Sequence, residues 1–346
     1  MRQRWSTRRR RLVGAMGLLL TATLLPLDLA AASASPPPTQ RPTLAALTTA
    51  LRQAASQRTA PPASTDLPSL TNLNQVWSSP NGTRTGLSHP ECSDSGASLP
   101  LAAATDCVYG DLSATRTLFA YGDSNAQMWI PALDEVGLDL HWRVVAVSQA
   151  SCQPWATPWL APSLTLFRGI TVANCDSWRN DVFSVLKVVK PTYVIPIGVG
   201  PRDHETAYPT MAGLEQSITA LVGQLRKFGT KPLFLQPMPR YDASLPITIS
   251  PIACLTVHPS NVLPCALTPA METKLMAAVA YKAVAKSAKV PEVSTQNLFC
   301  TAHCPLFVQS GKTTYLVYKD VDHMTFQYAQ FISRAFEEDL KANLQG

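Results

Sequence analysis

What this 346-residue chain lacks narrows its function before any motif is read. Its leading apolar stretch, Leu12 to Leu27, falls short of the roughly 20 residues a membrane span requires. No internal repeat is evident, and no Cys-x-x-Cys pair is present to begin a zinc site. Basic clustering is confined to the start, at Arg2, Arg4 and Arg8 to Arg11. Six of the 29 basic residues and one of the 23 acidic ones lie in residues 1–34, so the formal charge of +6 falls to +1 once that stretch is removed. No lysine or arginine cluster remains beyond it, which argues against a nucleic-acid partner.

What is present first is an export signal. The arginine run, the apolar stretch and Ala32-Ser33-Ala34 fit the basic, apolar and small-residue parts of a signal peptide over 1–34, so a secreted or envelope-associated protein is expected. An uncleaved anchor is the other reading, and Arg9-Arg10-Arg11-Leu12-Val13 loosely fits a twin-arginine route. Eight cysteines behind such a signal read as disulfides rather than metal ligands. A zinc site would have to recruit His303, flanked by Cys300 and Cys304, with His258 near Cys254. Residues 35–85 are rich in Pro, Ala, Thr and Ser, the composition of a linker. Within them Leu44, Leu47, Leu51 and Ala54 recur at helical spacing, so 43–55 is expected to be a short helix, in a wall-spanning linker or docked on the domain that fills 86–346.

From Thr117 onward the pattern alternates. Apolar runs at Leu118 to Tyr121, Arg143 to Val147, Tyr193 to Ile197 and Leu233 to Leu235 are continuous and rich in Val, Ile and Phe, as buried parallel strands are. Between and after them lie helical patterns at 126–136, 178–189, 211–228, 269–288 and 325–341. Alternation of this kind predicts an α/β fold, a mostly parallel sheet covered by helices on both faces, with ligands bound at the strands' carboxyl ends. The proline-rich tract from Pro237 to Cys265 breaks the pattern and is expected to be a long loop near the site's rim. Trp129, Trp155, Trp159 and Tyr241 are candidates to line a sugar cleft, although packing is the more ordinary role of such side chains.

Two strings carry chemistry. TLFAYGDSN reads as a strand that breaks at Gly122 and presents Ser124 in the turn before a helix, where a nucleophile is exposed. DVDHMTFQYA places Asp320 and His323 three residues apart ahead of the last helix, so a carboxylate can orient an imidazole that serves as base to the serine. Alone, a Gly-Asp-Ser triplet is a common helix cap and a D-x-x-H is commonly just a loop; their order along an alternating chain gives the pair its weight.

That layout resembles the SGNH/GDSL hydrolase superfamily. From Cys92 to Ala329 the chain is most similar to the SGNH domain found fused to acyltransferase-3 membrane proteins. The matching stretches are the Cys92 to Cys107 loop with VYGD, GDSN, WRVVAVSQASCQPW, CDSW, KPTYVIPIG, the cysteines of NLFC and HCP, and Tyr318-x-Asp320-x-x-His323. The resemblance implies a three-layer α/β/α sandwich of flavodoxin-like type, no cofactor, Ser124 as nucleophile, His323 as base and Asp320 as its orienting partner, with Asp322 left as a solvated loop or cap residue. It also implies the pairing Cys92–Cys107, Cys152–Cys175, Cys254–Cys265 and Cys300–Cys304, one of 105 connectivities open to eight cysteines.

The chain departs from the subfamily in three ways. Asn125 follows the serine where histidine is frequent, Gly198-Val199-Gly200 stands where a Gly-x-Asn oxyanion block is usual, and no membrane acyltransferase domain is present. The oxyanion donors expected instead are the Ser124 N–H and one from the Ser148 to Ser151 loop, with Gly200 or Arg202 nearby; Arg202 also reads as part of a charged solvated loop. The expected function is a secreted serine esterase or O-acyltransferase acting on acylated cell-envelope glycans, with a membrane acyltransferase as a candidate acyl donor. The competing expectation is a catalytically weak polysaccharide-binding protein of the same fold.

Overall fold

The computed structural model describes residues 41–61, 92–93, 98–166, 169–200, 209–241, 250–258, 260–269 and 275–344. The expected signal peptide, residues 35–40 and 62–85 of the expected linker tract, and Arg202 lie outside the described residues.

In chain order the strands are β1 (Val108–Gly110), β2 (Thr117–Gly122), β3 (Arg143–Ser148), β4 (Tyr193–Ile197), β5 (Lys231–Pro232), β6 (Phe234–Leu235), β7 (Glu292–Val293), β8 (Phe307–Ser310) and β9 (Thr313–Leu316). The helices are α1 (Leu44–Ala55), α2 (Ala103–Asp106), α3 (Ser124–Asp139), α4 (Val172–Val189), α5 (Met211–Lys227), α6 (Pro251–Val257), α7 (Met276–Ala288), α8 (Gln296–Phe299), α9 (Phe326–Phe331) and α10 (Ser333–Asn343).

Five strands form one sheet in the order β1-β3-β2-β4-β5. Parallel pairing sets Ala120 of β2 opposite Ala146 of β3 and Ile195 of β4, and β1 runs antiparallel at the edge. Beyond β5 the Leu233 amide still bonds Val194, whereas the Phe234 amide bonds Pro291, so the chain changes partner within three residues and carries the pairing on to β7.

The period of two along the central strands divides their side chains between two cores. Leu118, Ala120, Val144, Ala146, Tyr193 and Ile195 join one core with α1, α3, α9 and α10. Phe119, Tyr121, Val145, Val147 and Val194 join the other with α4, α5 and α7. Both faces of the sheet are therefore covered, which is the three-layer α/β/α architecture the alternation predicts.

Several elements differ from the sequence expectation, each for a local reason. α4 begins six residues early because Thr171 and Asn174 form a reciprocal capping box at its start. The expected helix over 325–341 is divided at Ile332. The 237–265 tract is not all loop: Ser250 caps α6, with Pro251 in the first turn, where its missing N–H costs nothing. β1 and the β8–β9 hairpin were not anticipated. α1 docks on the domain: Leu47 and Leu51 are completely buried in the first core, and Arg41 reaches Glu135 and Asp139 at 3.0 and 2.8 Å. By its packing, this helix of the linker tract belongs to the domain.

Candidate active site

The site begins with a close approach that only glycine permits. Gly122, at the end of β2, has φ of 156°, and a Cβ there would sit 1.6 Å from the Ile197 carbonyl oxygen of β4. The chain can therefore turn sharply into α3. Asp123 caps that helix: its Oδ1 accepts the Asn125 N–H at 2.8 Å, while Oδ2 accepts the Val199 N–H at 2.9 Å. One buried carboxylate thus locks the first turn of α3 to the segment after β4, and Ser124 opens the helix at the carboxyl end of the sheet.

His323 arrives on a loop held by the Asp320 carboxylate. Tyr318 bridges to Met324, and the Lys319 N–H bonds the His323 carbonyl at 3.0 Å, closing the loop at its neck. Inside it, Asp320 Oδ1 accepts the backbone N–H of Asp322 and of His323, at 3.1 and 3.0 Å. The Tyr241 N–H bonds the Val321 carbonyl at 2.8 Å, and the Met324 N–H rests on Met128 Sδ of α3 at 3.4 Å. The proline-rich tract and α3 therefore brace the loop from two sides.

These supports bring Ser124, His323 and Asp320 together. Ser124 Oγ lies 2.7 Å from His323 Nε2, and His323 Nδ1 lies 2.8 Å from Asp320 Oδ1. Asp322 is not the solvated residue expected. It is 5 % exposed, and its Oδ1 lies 3.1 Å from the same Nδ1. Two carboxylates facing Nδ1 demand a proton there, which leaves Nε2 of the neutral ring to accept from Ser124. Burial opposes charge on His323 and is the largest single influence, but hydrogen bonds to Asp320 and Asp322 and the charges of both outweigh it, raising the pKa from 6.5 to about 9. The two carboxylates and Nδ1 could also surround a cation, since they lie within 4.8 Å of one another. Nε2 of the same ring is engaged to Ser124, so Nδ1 is the nitrogen that faces the two carboxylates.

The oxyanion candidates fare unevenly. The Ser124 N–H sits in the first turn of α3, where intrahelical acceptors are lacking. Ser151 adopts the left-handed region at φ 64°, turning the loop after β3. Gly200 does not offer a free donor as expected: its N–H bonds Gln153 Oε1 at 3.1 Å, and Gln153 Nε2 returns a bond to the Gly200 carbonyl at 3.3 Å. At Gly198 the site is again tight, with Gln153 Oε1 2.6 Å from where a Cβ would stand. The Ser148 hydroxyl and Asn125 Nδ2 are enclosed without a hydrogen-bond partner, so neither side chain opens onto the cleft. Asp123, Gln153 and Asp322 were missed as parts of the site; only Asp322 gave a signal, through its position beside His323.

Of the four expected aromatics, Trp129, Trp155 and Tyr241 are buried, Trp129 against Phe336 and Tyr241 through its hydroxyl on the Cys265 carbonyl. All eight cysteines are joined as Cys92–Cys107, Cys152–Cys175, Cys254–Cys265 and Cys300–Cys304. No helix among the described residues is long and apolar enough to cross a membrane.

A parallel sheet that presents a serine at one strand end, with a D-x-x-H loop brought against it, is the arrangement of an SGNH-type domain. Residues 91–338 match the family described as "SGNH domain (fused to AT3 domains)", and the chain belongs to that family. No curated protein sequence matches it. Among solved structures it is similar to the periplasmic domain of a lipopolysaccharide acetyltransferase from Salmonella ser. Paratyphi A, at 13% identity and a TM-score of 0.53, over 72% of this chain and 91% of that one. A second solved structure, described as an acylhydrolase from Bacteroides fragilis, overlaps at 13% identity and a TM-score of 0.41, over 72% of this chain and 98% of that one.

Proposed function

We propose that the protein is an exported serine enzyme that cleaves or transfers acyl groups, acetyl being the simplest, on esters of cell-envelope glycans. Ser124 is the nucleophile, His323 the general base and Asp320 the carboxylate that orients it. The observation that carries this reading is the continuous hydrogen-bonded chain from Ser124 Oγ through the imidazole to Asp320, with spacings of 2.7 and 2.8 Å. Four disulfides suit an oxidising compartment outside the cytoplasm. The fold likeness to a lipopolysaccharide acetyltransferase domain supports an envelope glycan as substrate.

In the first half-reaction His323 Nε2 takes the Ser124 proton as Oγ bonds to the acyl carbon. The tetrahedral intermediate then expels the alcohol oxygen, which leaves with the proton from Nε2, and the acyl group stays on Ser124. In the second half, water or a sugar hydroxyl gives its proton to Nε2, attacks the acyl carbon and releases Oγ, which recovers the proton. Water makes the protein an esterase; a sugar hydroxyl makes it a transferase, for which a membrane acyltransferase is the candidate donor. The Ser124 N–H at the positive end of α3 and the Ser151 turn are the oxyanion donors assigned.

A serine-directed phosphonate tests the reading. Stoichiometric labelling at Ser124 is expected, with no label on Ser124→Ala. Failure to label the folded protein across the alkaline range would favour a non-catalytic glycan-binding role.

A further inference from the structure

A cleft of about 540 Å³ opens between α4, α5 and the loop that follows Cys152, and the acyl-transfer chemistry above makes no use of it. Its size falls within the roughly 300–1,000 Å³ of small-molecule sites. Asn180 and Phe183 of α4 face Gln216 and Gln224 of α5 across it, with Trp155 and Arg179 also in its lining. The Arg179 side chain is 5 % exposed. One of its terminal nitrogens donates to the Gln153 carbonyl at 3.0 Å and the other to Asp176. A guanidinium carries five N–H groups, so donors remain beyond these two bonds.

The lining selects for chemistry. The charge of Arg179 is matched by Asp176, so an anionic ligand gains little net attraction. Pro154, Pro158, Phe183 and Leu221 give the lining an apolar part, but an apolar chain laid along it would also strip water from Asn180, Gln216 and Gln224 and return no hydrogen bonds. A sugar hydroxyl both donates and accepts, as a carboxamide does, and the half-buried Phe183 beside these amides gives its C–H faces a surface. The cleft also lies toward the catalytic end. Asp176 and Arg179 are in the first turns of α4 and Gln216 in the second turn of α5, helices that start from the strands' carboxyl ends. Gln153 joins the two places, since its carbonyl takes the Arg179 bond while its side chain clamps Gly200.

We propose that this cleft docks neutral, unesterified sugar residues of the same polymer whose acyl ester is processed at Ser124. The inference rests on the enzyme reading for its biological sense, but binding is separable from turnover. The test uses the Ser124→Ala protein, which holds ligand without consuming it, titrated with hexasaccharides of glucose, mannose, galactose and arabinose. At least one is expected to bind at millimolar concentration or below, shifting the side-chain amide NMR signals of Asn180 and Gln216. The double change Asn180→Ala with Gln216→Ala, at exposed positions and checked by its melting curve, is expected to weaken that binding at least tenfold. The proposal is overturned if no neutral hexasaccharide binds, if the double change leaves affinity intact, or if polygalacturonate binds this cleft in preference to all four. Loss of serine labelling in the native protein would instead overturn the enzyme reading and leave the binding result standing.

Discussion

Replacing Asp322 with Asn is expected to move the pH dependence of catalysis without dismantling the site. The imidazole must be neutral to accept the Ser124 proton, and its pKa is about 9 with both carboxylates in place. At pH 7 such a group is neutral in roughly 1 % of molecules, so kcat/KM of the native protein should climb through about pH 9, the limb that reports the free enzyme's base. Asp322 Oδ1 is 3.1 Å from Nδ1 and buried, close enough for its charge to act strongly. A carboxylate at such range shifts a neighbour by roughly 1–3 units. With one of two carboxylates neutralised, the midpoint should fall by about one to two units and the neutral fraction at pH 7 should rise roughly 10- to 50-fold. A less basic imidazole offsets part of that gain, so the quantity to read is the midpoint and not the rate at one pH.

The assay is hydrolysis of a small aryl acetate from pH 6 to 10.5, with kcat/KM taken at each step and corrected for spontaneous hydrolysis. Asp322→Asn should shift the midpoint down and keep most of the plateau, because Asp320 Oδ1 still holds Nδ1 and the backbone of the loop. Asp320→Asn should lower the plateau itself, since that oxygen takes three donors. The reasoning fails if the native profile has no limb near 9, or if Asp322→Asn leaves the midpoint where it was. A collapse of the plateau in Asp322→Asn alone would make Asp322 the principal orienting residue.

Ser124→Ala and His323→Ala should each abolish aryl acetate hydrolysis, because members of such a unit fail together; more than a tenth of native activity in folded Ser124→Ala would remove it as nucleophile. The raised His323 pKa also ties stability to pH: the folded state holds the proton more tightly than the unfolded one, so the contribution is full below about 6.5 and is lost as pH rises through about 9. The difference of about 2.5 units corresponds to about 3 kcal/mol, and melting curves at pH 6 and 10 should separate less for His323→Gln than for the native protein. Leu51→Ala should cost about 2–5 kcal/mol, the range for emptying a fully buried leucine site, whereas no loss in chemical denaturation would mean α1 is dispensable to the domain. Cys300→Ser with Cys304→Ser should reduce turnover more than the melting temperature, because so short a ring constrains the unfolded chain little; a large thermal loss with full activity per folded molecule would make the bridge purely structural.

The sequence disclosed the elements that depend on local chemistry. Continuous Val and Ile runs are legible as buried strands, and the meeting of Ser124, Asp320 and His323 is legible because a Gly-Asp-Ser after a strand and a D-x-x-H before the last helix are informative in that order. Other features depended on distant contacts. Asp322 looked solvated because a loop residue between Val321 and His323 gives no hint of burial; the Tyr318–Met324 bridge folds it inward. Gln153 clamps a segment 47 residues away, which no spacing announces. Trp129 and Tyr241 are aromatic whichever way they face, and only packing places them in the core. The β8–β9 hairpin was legible in principle, since the pair Gly311-Lys312 stands between Phe307-Val308 and the run Thr313 to Leu316, and Gly311 takes φ 60° in the turn.

The absent Gly-x-Asn block acquires a physical meaning from the same contacts. In Gly198-Val199-Gly200, the Val199 N–H is committed to Asp123 and the Gly200 N–H to Gln153. Gly200 also has φ 82°, and a Cβ there would stand 2.5 Å from Ala277 Cβ, so a side chain could be added only with strain and displacement of α7. An asparagine at position 200 is thus excluded by the packing, and restoring the usual motif by Gly200→Asn would disturb the fold before it supplied a donor. Losing one oxyanion donor typically costs about 10²–10³ in rate, a deficit that the enzyme proposed above would have to meet from the other side of the site. The N-terminus of α3 is the structure suited to that: the Ser124 N–H and the helix dipole favour negative charge beside Ser124, while the Asn125 and Ala126 N–H groups are taken by Asp123. The Asp123 clamp that commits Val199 is also what fixes that helix end in place.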